Sequence, residues 1–274
     1  MSPFLHATSR LAPLALALGL AVAAPAHAQE YWHCWVQDPD TGEWGQDPSA
    51  SQGQGNRHGS SNSTCALRTS AYGVGNNASG EGSSAFGHFN TAKAAGSSVF
   101  GSQNLAEGLD SSAFGHANTA RAQNSGAFGR LNIAGGIAAS AFGVENMATG
   151  DGSNAFGISN YSDGPSNSFG SSNFSSGRSN SFGHRNDARG DWASAFGIFN
   201  QAHGVESLAF GLNNSTTGES ALAFGARNVA SGNHGNAVGL NNTASGAGTV
   251  AFGVSNLASG GFSIAVGTEA RRPV

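Results

Sequence analysis

Large apolar residues recur along the chain at intervals of fourteen, each followed at once by glycine. The series runs Tyr72-Gly73, Phe86-Gly87, Phe100-Gly101, Phe114-Gly115, Phe128-Gly129, Phe142-Gly143 and Phe156-Gly157. Two steps of thirteen lead through Phe169-Gly170 to Phe182-Gly183. Steps of fourteen then continue from Phe196-Gly197 through Phe210, Phe224, Val238 and Phe252 to Val266-Gly267. With the apolar residue as position 0, fifteen copies share one grammar. Position −1 is nearly always Ala, +4 is Asn up to Asn256, +6 is small (Ala78, Ala106, Ala258) and +8 is usually Gly (Gly80, Gly108, Gly260). A short fixed period means one structural unit stacked many times, each touching only its neighbours.

Fourteen residues are too few for a pair of helices. They suit two short strands and two tight turns, which predicts an all-β fold: a parallel β-solenoid of about fifteen coils, about 70 Å long at one strand spacing per coil. Gly at +8 and Asn at +4 are the expected left-handed turn residues. Each Asn is also placed to hydrogen-bond its equivalent one coil away, giving a ladder through Asn90, Asn104, Asn118, Asn132, Asn146, Asn200, Asn228 and Asn256. In the two short coils Asn160 with Gly164, and Asn173 with Gly177, keep their offsets. The missing residue must therefore lie between that Gly and the next Phe, which predicts a tightened turn and undisturbed strands.

Strand alternation puts positions −1 and +1 on one face and positions −2 and 0 on the other. The Ala/Gly face is too small to enclose aromatic rings, so the Phe side chains are expected to point outward in one ridge. Such a ridge left in water would be a large apolar patch, rare on a soluble monomer. Identical chains around a rotation axis would cover it. The predicted trimer interface is Phe86, Phe100, Phe114, Phe128, Phe142, Phe156, Phe196, Phe210, Phe224 and Phe252. The alternative is a monomer with Phe inside the coil. Position −2 changes from Ser84, Ser112 and Asn154 to Leu208, Leu222, Val250 and Ile264, so the shared face should be drier towards the C-terminus.

Composition narrows the function classes. Charged residues are 10% of the chain against about 25% in ordinary proteins, and the net charge is only −4. The 12 Lys and Arg are scattered without a basic run, which argues against nucleic acid as a partner. Residues 1–28 read as a secretory signal: Arg10, an apolar stretch over 11–24, and Ala26-His27-Ala28 as the cleavage site. Residues 29–68 precede the repeat and hold both cysteines, Cys34 and Cys65, with Trp32, Trp35 and Trp44. In an exported protein two cysteines usually pair, so a Cys34–Cys65 disulfide is expected. The segment is expected to cap the open end of the solenoid; a carbohydrate platform built from the tryptophans is an alternative. The repeat domain is placed at 69–267, with a tail at 268–274.

Candidate chemistry is sparse. His88, His116 and His184 share position +2 but lie two and five coils apart, too far to converge on one metal. His33, Cys34, His58 and Cys65 match no zinc spacing. Glu81, Glu107, Glu145, Glu206 and Glu219 fall at several repeat positions without the pairing that acid–base catalysis needs. No enzyme activity and no cofactor are expected.

The stretch Thr249-Val250-Ala251-Phe252-Gly253-Val254-Ser255-Asn256-Leu257-Ala258-Ser259-Gly260 resembles the head repeat of YadA-type trimeric autotransporter adhesins, and the likeness runs from about residue 69 to 267. The resemblance implies a left-handed parallel β-roll, a homotrimer, and exposure on a Gram-negative surface for attachment to host matrix or another surface ligand. Family members continue into a coiled-coil stalk and a membrane barrel. Neither heptads nor amphipathic strands follow Val266 here, so three alternatives stay open: a head released into the medium, a truncated relic, or a piece that docks on a separate anchoring protein. The competing function is a structural filament of the extracellular matrix without a specific receptor. Ice binding is disfavoured because the +5 row (Asn77, Thr91, Leu105, Ile133, Tyr161) is too mixed for a lattice.

Overall fold

A computed structural model describes residues 34–37, 41, 43–47 and 55–272, so the signal segment lies outside the described residues. All regular structure within them is strand. Each coil contributes a five-residue strand spanning positions −2 to +2 and a strand of two or three residues beginning at +5, as in Ser112–His116 followed by Thr119–Ala120. The longer strands form one 16-stranded parallel sheet and the shorter ones a second of the same size. Register is position on position, with Ala113 opposite Ala127 and Phe114 opposite Phe128. This is a parallel β-solenoid.

It has sixteen coils, one more than the Phe-Gly count gives. The extra coil comprises Asn56–Ser60 and Ser63–Thr64, and pairs His58-Gly59 with Tyr72-Gly73. His58 replaces the apolar residue, which hides the coil from a hydrophobic pattern. Its ring nonetheless continues the stack, 6.0 Å from Tyr72. The solenoid therefore begins within the segment expected to be a cap. At the other end Ile264–Thr268 and Arg271–Arg272 are strands, so residues 268–272 belong to the last coil rather than to a tail.

The interior is built from small residues. The −1 and +6 alanines, such as Ala113, Ala120, Ala127 and Ala134, have no exposed surface. Burying a methyl-sized group is worth on the order of 0.8 kcal/mol. Two per coil make a weak hydrophobic core, so hydrogen bonding between coils must carry much of the cohesion. The asparagines at +4 supply a large part of it. Asn118 Nδ2 shares its hydrogens among Asn104 Oδ1 (3.0 Å), Phe114 O (2.8 Å) and Gly129 O (2.7 Å). Its own Oδ1 accepts from the backbone N–H and Nδ2 of Asn132.

The turns differ from the expected chemistry in three ways. The left-handed residue at the first turn is +3, not the Asn: Phe89, Leu131 and Phe199 have φ of 55°, 58° and 59°. At the second turn it is +10 in fourteen-residue coils, as at Asp110 (53°) and Trp192 (61°). Gly at +8 serves close approach instead, since a Cβ on Gly108 would lie 1.9 Å from Ala122 O in the next coil. Only in the short coils does +8 take the left-handed conformation, at Gly164 (φ 77°) and Gly177 (φ 72°). Gly at +1 was expected to face inward because it is small. It is needed for another reason: Gly115 has φ 116°, and a Cβ there would meet Gly129 O at 2.0 Å.

The two shortened coils keep register, with Phe156 opposite Phe169 and Phe169 opposite Phe182. Their second strands, Tyr161–Asp163 and Phe174–Ser176, are each three residues long. The deletion is thus absorbed in the turn, as the offsets predict. Here the alanine core gives way to buried serines. Ser168 Oγ donates to Tyr161 O at 2.6 Å, and Ser181 Oγ to Phe174 O at 2.7 Å.

Candidate functional site

The position-0 side chains form one row on the outside of the long-strand sheet, aromatic from Tyr72 to Phe224 and interrupted by Val238 before Phe252. Because strands repeat every coil, each ring lies above its neighbour. Phe86 and Phe100 are 4.7 Å apart at the ring centroids, Phe169 and Phe182 4.9 Å, and Phe210 and Phe224 5.1 Å. The inward alternative fails because the −1 alanines fill the interior, while Phe210 keeps 44% and Phe252 53% of its surface exposed. Stacking covers the ring faces and leaves the outer edges in water.

The rows beside the ridge are not uniform. Ser112 and His116 flank Phe114, and Gly126 and Arg130 flank Phe128. Further along the chain, Leu208 and Leu212 flank Phe210, and Val250 and Val254 flank Phe252. The apolar −2 residues of these later coils thus lie directly beside the ridge, with Leu212 and Val254 at +2 on its other side. Between these regions Asn154, Asn167 and Asn180 link in a second amide ladder beside the ridge, at 2.8 and 2.7 Å.

The other predicted residues fall in separate places. His88 and His116 are exposed and His184 half-buried on their common row. Among the described residues no group of three or more His, Cys, Asp and Glu is placed to hold a metal. The Glu81, Glu107 and Glu145 carboxylates face basic partners, Arg68, Lys93 and Arg130. Cys65 is disulfide-bonded, and the side chain of Cys34 lies outside the described residues.

One polar cluster escaped the sequence reading. Asp187 accepts from His203 Nε2 at 3.2 Å and from Arg189 Nε at 2.8 Å, while Arg189 stacks over the Phe174 ring. Burial alone would raise this carboxyl. The hydrogen bonds from His203 and Arg189, with the charge of both, outweigh burial and hold the group below the usual carboxylate range. The signal was available, since Asp187, Arg189 and His203 lie on adjacent coils at +5, +7 and +7.

The geometry offers a long, regular, partly apolar face on the long-strand sheet. A family model described as the YadA head domain repeat (2 copies) matches residues 78–104, 106–130, 217–242 and 244–270. Over those four segments the chain carries YadA-like head repeats. The matches lie towards the two ends of the solenoid, and the short serine-cored coils fall between them. YadA heads belong to trimeric autotransporter adhesins, which suggests an adhesin-like function and cell-surface exposure; such heads are typically non-enzymatic. No curated protein matches the chain.

Proposed function

We propose that the protein is an adhesin head that trimerises through its phenylalanine face and attaches a Gram-negative cell to host matrix or another surface. The observation that carries this reading is the aromatic row over an alanine interior: the rings have no place inside the coil and stay partly exposed along its length. Fully burying a residue of this size recovers about 1.5–3 kcal/mol, and a three-fold arrangement of parallel rolls covers every ridge at once. The reading includes export through residues 1–28, a left-handed coil, and a Cys34–Cys65 disulfide tying the N-terminal segment to the first coil.

Light scattering on residues 29–274 tests the assembly, and retention on immobilised collagen, laminin and fibronectin tests attachment. A trimer retained on one of these surfaces is the expected result. A stable monomer at micromolar concentration would overturn the assembly, and a trimer retained on none would favour the filament reading.

A further inference from the structure

The N-terminal segment makes a hairpin whose tryptophan lies against the flank of the solenoid. Strands β1 (Cys34–Gln37) and β2 (Trp44–Asp47) pair antiparallel, with Gln37 opposite Trp44. Trp44 does not sit over the open end. It walls a cleft of about 570 Å³ together with Ala94, Ala95, Glu107, Gly108, Leu109, Arg121 and Gln123. These roll residues occupy positions +7 to +9 of three successive coils, a different corner from the Phe row. Lys93 shows that this corner is covered locally. It is 8% exposed, whereas Arg121, at the same position two coils on, is exposed.

The polar groups in the cleft have complementary roles. Lys93 Nζ donates to Glu107 Oε1 at 2.7 Å, which fixes that carboxylate, balances its charge and leaves Oε2 as an acceptor. Arg121 forms no ion pair among the described residues, so its planar fork is available to an anion. Gln123 brings one acceptor and two donors on a planar amide. Trp44 contributes an apolar ring with an N–H at its edge, and Leu109 adds apolar surface. The volume falls in the range of small-molecule sites.

We infer that this cleft binds a carboxylated sugar at the end of a glycan. A pyranose has an apolar C–H face for Trp44 and Leu109, and vicinal hydroxyls that suit the planar Glu107 and Gln123 groups. Its carboxylate pairs with the Arg121 fork in bidentate fashion. A purely apolar ligand would cover the Arg121 charge without giving it a partner. A phosphate would face Glu107 with only Arg121 free to neutralise it. The inference deepens the adhesion reading by naming a ligand class, and rests on that reading only for the purpose of binding.

The test titrates the exported chain, residues 29–274, with methyl glucuronide and with methyl glucoside, following tryptophan fluorescence and saturation-transfer NMR. Glucuronide should bind at least about tenfold more tightly than glucoside. R121Q should erase that preference, Trp44→Leu should abolish binding of both, and R227Q, a distant exposed arginine, should change neither. Equal affinity for the two sugars overturns the carboxylate assignment. Absence of binding, or binding indifferent to both cleft variants, overturns the site. Retention on matrix proteins is read separately: retention without sugar binding defeats this inference alone, and sugar binding without retention defeats the adhesion reading alone.

Discussion

The coils around Phe114 and those around Phe224 are alike inside and different outside. Both bury alanines at −1 and +6, and both carry the +4 asparagine with the same hydrogen-bond partners: Asn118 Nδ2 to Phe114 O at 2.8 Å, and Asn228 Nδ2 to Phe224 O at 2.9 Å. Outside, the first group flanks its rings with Ser112, His116, Gly126 and Arg130, and the second with Leu208, Leu212, Leu222 and Ala226. The interior fixes the coil, so it tolerates little change. The outer face is free to vary coil by coil, and the −2 and +2 rows decide how strongly one chain meets another. Association should accordingly be tightest over the last five coils, where Ile264 and Val266 are about 60% exposed on a single chain.

The largest effect should come from the shared interior. Asn118→Ala and Asn228→Ala each leave two carbonyls and the next backbone N–H without their partner. At about 1–3 kcal/mol per orphaned buried group, each should cost roughly 3–5 kcal/mol. Denaturant unfolding and hydrogen exchange in the adjoining coils should report equal losses at the two sites; unequal losses would break the equivalence of the interiors.

Next come the rings. Phe224→Asp removes about 1.5–3 kcal/mol of burial per chain and sets a charge beside Leu222, so it should dissociate the assembly. Phe114→Asp, among polar neighbours, should only weaken it. Light scattering across a concentration series ranks the two, and equal dissociation would show that the flanking rows are irrelevant. A smaller effect is expected from Ser112→Leu with His116→Leu, which gives an early coil the late pattern. Association should tighten by about tenfold, visible as a lower dissociation midpoint.

The smallest effect concerns Asp187, between the two regions. Its depressed pKa contributes stability that is present above the unfolded carboxylate value near 3.9 and lost as pH falls through the folded one. Acid unfolding below about pH 4 should therefore be slightly steeper in the wild type than in Asp187→Asn. Identical acid limbs would remove Asp187 from the account.

The repeat architecture was legible because Phe-Gly and Asn recur at fixed offsets, and identical residues at identical offsets must stack. The first coil was not, because His58 breaks the apolar pattern even though Gly59 and Asn62 keep theirs. The turn conformations were illegible for a different reason. Position +3 is left-handed whether it holds Phe89, Gln103, Ala117, Leu131 or Glu145. The geometry is imposed by the strands on either side, so no residue preference marks it. The Trp44 cleft depends on where a hairpin lands against coils sixty residues or so further along the chain, which local pattern does not encode.

The asparagine ladder also gives the molecule a direction. Every Nδ2 in it donates to the Oδ1 of the preceding coil, from Asn76 onto Asn62 up to Asn256 onto Asn242. The side-chain amide dipoles therefore point one way along the axis, and neighbours in such a chain polarise one another. Their fields add rather than cancel. At Asn256 the sequence of amides stops, because Ala270 can offer only its backbone N–H to Asn256 Oδ1. The roll is thus an electrically oriented rod, with amide hydrogens towards its first coil and carbonyl oxygens towards its last. Three parallel copies would carry three such oriented rows side by side, and an antiparallel pair would set them against each other.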